Sequence, residues 1–347
     1  MFHQKYSFQC NAENKEFNEN LINNISLCLV FLTTIQYFIS VNRQMIQQLI
    51  LNGIIAGSIY ALIGLGFTVI YRTVKFFHFA HGIVYTAGAY LAYSIVMSLG
   101  VRSSGVESFG VGSWVVAVLG GIVGAGVLGI LIDRLVYLPL RKTKAPNLVF
   151  LIASFGIFIF IQNLIQLLYG AQILTLRTGP VKEGHQFLGA VITDIQILIL
   201  VVSLGVLGVL WLFVQKTKLG KAMRAVSDDP ISASVVGINP EKTIFASFAI
   251  GSALAGVAGI LISLETNIEP TMGFNAILKG IIASIIGGIG SIPGAMLGGF
   301  FLGIVENLGI WKIQAGWKDA IAFVVLLIFL LFRPEGILGT RKGKERL

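Results

Sequence analysis

Polar and apolar positions along this chain fall into long blocks rather than a short alternation. Apolar runs occupy 46–70, 79–99, 113–138, 147–169, 194–214, 243–264 and 317–332, separated by polar intervals, and a further apolar region broken by glycines fills 275–308. About 20 helical residues cross the hydrocarbon core of a bilayer, and in lipid only a helix or a closed barrel satisfies its own backbone. The pattern therefore predicts an all-α polytopic membrane protein of about eight transmembrane helices, some of them short or broken.

Charge supplies an orientation. Of 347 residues, 55% are hydrophobic and 12% charged, yet the net charge is +9. The bases lie in short intervals between apolar runs and build no continuous basic face. That pattern argues against a nucleic-acid partner and for the enrichment of Lys and Arg in cytoplasmic loops. With the polar interval 216–242 placed in the cytoplasm and each run crossing once, that side holds Arg72, Lys75, Arg134, Arg141, Lys142, Lys144, Lys216, Lys218, Lys221, Arg224, Lys242, Arg333, Arg341, Lys342, Lys344 and Arg346. These are sixteen bases, against six on the other side: Arg43, Arg102, Arg177, Lys182, Lys312 and Lys318. The arrangement requires 275–308 to cross twice, turning at Gly290-Ser291-Ile292-Pro293, and leaves the C-terminus cytoplasmic. The 41 glycines suit such a bundle, because small residues let membrane helices approach closely. Gly120/Gly124 and Gly299/Gly303, at four-residue spacing, predict close helix contacts, within the subunit or, as the alternative, between subunits.

Three segments differ in character. In 1–44 a polar stretch, NAENKEFNENLINN, precedes the 16-residue apolar run Ile25 to Ser40, which is short for a span. An extra helix, a processed leader, or sequence upstream of a start at Met45 are the open readings. Residues 45–339 form the transmembrane domain, with 215–242 as its long loop, and 340–347 form a basic tail. The two cysteines, Cys10 and Cys28, both fall in the first segment, which argues against a metal cluster or a disulfide framework.

The loop is the longest polar interval in the second half of the chain. Lys216, Lys218, Lys221 and Arg224 come first, then Asp228, Asp229 and Pro230, then the small-residue run Ser232 to Gly237. A carboxylate followed by proline starts a helix, and Gly237-Ile238-Asn239-Pro240 stops one. The loop thus predicts a short extramembrane helix suited to docking against a partner; an ordinary solvated loop is the plainer alternative.

On Gly220, Arg224, Ala225, Asp228, Asp229, Ala233 and Gly237 this stretch resembles the coupling loop of ABC-transporter permeases of the branched-chain amino acid (Liv) type. Further blocks match in order: NGIIAGSIYALIGLGFTVIY with Phe79-Ala80-His81-Gly82, then GGIGSIPGAMLGG, then the closing Phe332 to Gly339. One departure stands out: where the wider permease family has Glu-Ala-Ala ahead of the glycine, this chain has Ile231, Ser232 and Ala233. The resemblance implies a bacterial inner-membrane importer in which this subunit pairs with a second, homologous permease within membrane lipid. Two cytoplasmic ATPases would dock beneath, a periplasmic binding protein would deliver substrate, and ATP would be used by the partners, this chain binding no cofactor. Branched-chain or other neutral amino acids are the implied cargo, with urea or short amides as an alternative.

For a pathway, broken helices at membrane depth are the place to look. Phe76 to Gly82 and Gly287 to Gly303 qualify, which nominates His81, Gly82, Gly290 and Pro293. His78 and His81 are three apart and share a helix face; a polar cavity or satisfaction by a neighbouring helix both fit them. Without convergent Cys, Asp or Glu they make no metal site. Lys279 and Glu306 are ionisable groups at membrane depth and are suspects on that ground, with pathway and structural roles both open. No phosphate-binding Gly-x-x-x-x-Gly-Lys-Ser/Thr loop or other catalytic motif occurs, so the chain reads as no enzyme. A stand-alone, gradient-driven carrier is the remaining alternative, with Glu306 as its buried carboxylate.

Overall fold

A computed structural model describes residues 43–99, 111–176, 184–187 and 189–339. The N-terminal segment through residue 42, the basic tail, and Arg102, Arg177 and Lys182 lie outside them. By compactness the chain divides into two units, 1–48 with 188–190 and 49–187 with 191–347. The second holds everything below apart from the opening turns of α1 and one residue of β2.

The helices are α1 (Arg43–Val74), α2 (Ala80–Ser98), α3 (Val111–Ile132), α4 (Leu138–Lys142), α5 (Asn147–Tyr169), α6 (Asp194–Lys216), α7 (Lys218–Asp228), α8 (Pro230–Val235), α9 (Pro240–Glu265), α10 (Met272–Gly287), α11 (Ile292–Gly309) and α12 (Lys318–Phe332). Two short strands, β1 (His185–Phe187) and β2 (Ala190–Ile192), pair between α5 and α6. The expected all-α membrane bundle is what forms, and 275–308 divides as anticipated into α10 and α11. Gly288 (φ +109°) and Gly290 (φ +85°) make the turn between them in the left-handed region that glycine enters freely. Ser291 Oγ then accepts from Gly294 N at 3.2 Å, and Pro293 sits in the first turn of α11.

Two helix ends run well past their sequence expectation, and α1, expected to end at 70, continues to Val74. The helix expected to end at 138 continues through a π-turn, Asp133–Tyr137, into α4 and ends at Lys142. Pro139 lacks the amide proton that a regular turn would use. The extension is tied by Arg141, whose Nη1 donates to the buried Asp133 at 2.7 Å while Nη2 meets Glu241 of α9 at 3.0 Å.

Burial sorts the helices into a centre and a rim. The most apolar stretch of α1 is 83% buried and that of α9 67%, against 22% for α5, 28% for α6 and 6% for α12. Among the described residues seven helical stretches are long and apolar enough to cross a membrane, and α2 and α10 are not among them. Yet α2 is buried without a break from Ala80 to Tyr90, packed by α3, α5, α9 and α10. A helix enclosed by protein on every side can carry His81, Tyr85 and Tyr90, whereas α5 and α12, apolar all round, suit contact with lipid.

Close backbone approach holds the centre. On α11 a Cβ at Gly299 would strike the Ala61 backbone of α1 at 2.5 Å, and one at Gly303 would strike Gly53 and Gly57. The Gly299/Gly303 pair thus packs within the subunit, as does Gly120/Gly124, which faces Ile95 and Leu91 of α2. Polar groups join the same helices: Ser284 Oγ donates to Gly64 O of α1 at 3.0 Å. Ser154 Oγ of α5 accepts from Phe79 N at 2.6 Å and Ala80 N at 3.2 Å, capping α2 from outside the helix.

At one end of the bundle, four intervals that the charge pattern puts on one side do come together. Arg72 Nε donates to Ser227 Oγ at 3.2 Å. Arg72, Lys75, Asp228, Gly290, Pro293 and Glu335 all line one cavity of about 680 Å3. The closing segment is held there by Ile337 N to Ile286 O at 2.8 Å and Leu338 N to Gly287 O at 2.9 Å.

Candidate functional site

Two places concentrate the chemistry. The first is an elbow, α7 and α8, projecting between α6 and α9. Thr217 starts α7, its Oγ1 accepting from Gly220 N at 3.0 Å. Gly220 is required by closeness: a Cβ there would meet Phe213 O at 2.6 Å and also strike Val214 O. Arg224 Nη1 donates to Val214 O at 2.7 Å and to Gln215 Oε1 at 3.0 Å, closing the end of α6. Ala225 O accepts from Asp229 N at 3.1 Å.

Asp229 is the N-cap of α8, as its position before Pro230 leads one to expect. Its Oδ1 accepts from Ile231 N at 2.9 Å, and its Oδ2 accepts from Ser232 N at 3.3 Å and Ser232 Oγ at 2.5 Å. Gly237 (φ +84°) ends the helix. Ile238 N donates to Ala233 O at 3.0 Å and Gly237 N to Ser234 O at 3.1 Å, the paired bonds of a Schellman stop. With both ends tied, α8 presents Ile231, Val235 and Val236 outward, 76%, 82% and 74% exposed. Ile231 was visible in the sequence as a departure from the family's Glu, whereas Val235 and Val236 are nominated by their exposure outside the bundle.

The Ser232 hydroxyl, followed by the backbone amides of Ile231 and Ser232, holds the Asp229 carboxyl below the usual aspartate value. A folded value below the unfolded one, about 3.9, means that the cap is fully present above that pH and is lost as pH falls through the folded value. Asp229→Ala is expected to speed hydrogen exchange at the Ile231 and Ser232 amides at neutral pH, leaving α9 unchanged, and Asp229→Asn to retain protection. Equal exchange in Asp229→Ala and the parent would refute the cap.

The second place is a cavity of about 460 Å3 at the opposite end of the bundle, between α1, α10 and the start of α12. Lys279 of α10 is buried there and pairs with the fully buried Glu306 of α11. Tyr60 Oη donates to Glu306 Oε2 at 2.8 Å, and Asp319 Oδ1 of α12 takes Lys279 Nζ at 2.9 Å. Beside them Lys318 Nζ donates to Asn307 Oδ1 at 3.2 Å. Lys279 lines the cavity, whereas Gly290 and Pro293 line the cavity at the other end.

His81 and Gly82 lie outside both linings. His81 is fully buried where α1, α2 and α9 meet, against Gly66, and neither ring nitrogen makes a hydrogen bond of good geometry among the described residues. Gly82 packs on Gly273 and Ile277 of α10. His78 Nδ1 meets the Tyr137 hydroxyl at 2.9 Å inside an aromatic cluster with Phe248, giving one of its nitrogens a partner.

A model of the family described as branched-chain amino acid transport system, permease component, matches residues 49–330. The chain belongs to that family. It is 38% identical over 300 residues to the high-affinity branched-chain amino acid transport system permease protein LivH of Escherichia coli K12, covering 84% of this chain and 95% of that one. BraD of Pseudomonas aeruginosa, named for the same kind of system, is 40% identical over 299 residues, covering 85% of this chain and 95% of that one. A probable LivH of Methanocaldococcus jannaschii is 31% identical over 309 residues, covering 84% of this chain and 93% of that one. The matched span takes in both the α7–α8 elbow and the Lys279–Glu306 pair of this permease, a multi-pass membrane protein.

Proposed function

We propose that this permease is one of two homologous membrane subunits of a binding-protein-dependent ABC importer for branched-chain and other neutral amino acids. The supporting observation is its 36–40% identity to permeases named for branched-chain amino acids, across 95% of their length. In this reading two cytoplasmic ATPases bind ATP and move toward each other, and each presses on a rigid knob of its permease. The α7–α8 elbow has the build for that: capped at both ends, tied to α6 through Gly220 and Arg224, and apolar at Ile231, Val235 and Val236. A binding protein on the periplasmic side releases cargo toward the end of the bundle where Lys279 sits, and the tail lies in the cytoplasm of a bacterial inner membrane. Glu306 is held by Lys279 and Tyr60, which suits an ATP-driven permease better than a carrier needing a free carboxylate.

Uptake of labelled leucine tests this in a strain deleted for the gene against its parent. Deletion is expected to lower leucine uptake, with unlabelled alanine competing in the parent and urea not competing. Uptake untouched by deletion would sink the amino-acid reading and turn attention to urea.

A further inference from the structure

The Lys279 cavity has more charge than its packing needs. Glu306, fully buried and fixed by Tyr60, already balances the lysine. Asp319 adds a second carboxylate from the rim, where its side chain is 60% exposed. An ion pair open to water on one side contributes little to folding, and it is free to exchange partners. The rest of the lining is mixed: an apolar part, Ile59 and Ile63 of α1, Ile262 of α9, and Met272 and Ala276 on the same face of α10 as Lys279, lies beside polar groups that include Glu269, Asn275 and Lys318, the last held by Asn307. The volume, about 460 Å3, falls in the range of small-molecule sites, about 300–1,000 Å3.

We propose that this cavity is a recognition site for a zwitterion, an α-amino acid with an apolar side chain. The α-carboxylate takes the place of Asp319 on Lys279 Nζ, the α-ammonium pairs with the released Asp319 carboxylate, and the side chain lies against the isoleucine and methionine wall. One ion pair becomes two with no change in net charge, so neither end of the ligand is desolvated without a partner. A carboxylic acid without the amine would displace Asp319 and leave it unpaired. An amine without the carboxylate would compete with Lys279 for Asp319, and urea offers no charge to either. The proposal rests on reading the chain as an amino-acid permease, and it names the residues that would make that selection inside the membrane subunit.

The test uses the complete transporter, purified into lipid nanodiscs without its binding protein and without ATP, with ligand-observed NMR titration of leucine, leucinamide, 4-methylpentanoate and urea. Leucine is expected to titrate saturably, and leucinamide and 4-methylpentanoate to bind about tenfold more weakly or worse, the loss of one charge-assisted hydrogen bond. Asp319→Asn is expected to weaken leucine by a similar factor with the amount of complex unchanged, and Asp319→Glu to restore it. Leucine binding unchanged in Asp319→Asn, leucinamide binding as tightly as leucine, or no leucine binding to a complex that imports it would each overturn the proposal while leaving the transport reading intact. If the wild-type complex imports no leucine, the transport reading falls and the titration still decides the site. Leucine binding that requires both charges upholds it, and absence of leucine binding overturns it.

Discussion

Glu306→Ala is expected to remove most of the folded permease from the membrane. The substitution leaves the Lys279 ammonium buried in the bundle with Asp319 as its remaining carboxylate, on the exposed side. Removing one partner of a buried ion pair costs about 3–5 kcal/mol, a large share of the ~5–15 kcal/mol that holds a typical domain together. The Tyr60 hydroxyl loses its acceptor as well. Replacing both charges together, as Lys279→Met with Glu306→Leu, is expected to recover the folded amount, since a buried pair exchanged for apolar groups of similar volume is often neutral. Membrane abundance and the melting temperature of the purified complex check both variants. A single variant as abundant and as stable as the parent would show that the pair contributes nothing to the fold.

The second large effect belongs to α8. Val235→Asp is expected to abolish ATP-driven uptake while leaving the permease at its normal level in the membrane. Its side chain is 82% exposed, so folding has little to lose. Central apolar anchors of protein interfaces are worth about 2 kcal/mol or more, above about tenfold in affinity, and a carboxylate there must also be desolvated. Val235→Ile should work normally. Co-purification of the ATPases separates the outcomes: Val235→Asp complexes that keep their ATPases and transport at the parental rate would remove α8 from the coupling path.

The parts of this architecture that were legible in the sequence are those set by local chemistry. Apolar block length located the helices. Asp229 before Pro230, and Gly237 before Asn239-Pro240, located α8, because caps depend on residues within one turn. The glycine-rich turn between α10 and α11 was readable for the same reason. What escaped reading depends on residues far apart in the chain. Lys279 and Glu306 were each visible as misplaced charges, but their pairing exists only because the turn at Gly288 and Gly290 folds α11 back along α10. Asp319 drew no reading from the sequence, and Tyr60 was one more residue of the apolar run 46–70. The run-on of α3 past Leu138 to Lys142 was hidden because Pro139, ordinarily a stop, follows a π-turn there.

The burial of α2 and α10 bears on how any topology of this permease is drawn. A tally made on hydropathy alone omits both helices and, since the omission is an even number, leaves the parity of the whole count unchanged. The intervals between α2 and α10 are inverted, so that the intervals after α1 and after α7 would face opposite compartments. The hydrogen bond from Arg72 to Ser227 joins those very intervals. That contact, with the cavity the same intervals line, therefore carries the parity of the fold, and the helices least like membrane spans are the ones that keep the rest the right way round.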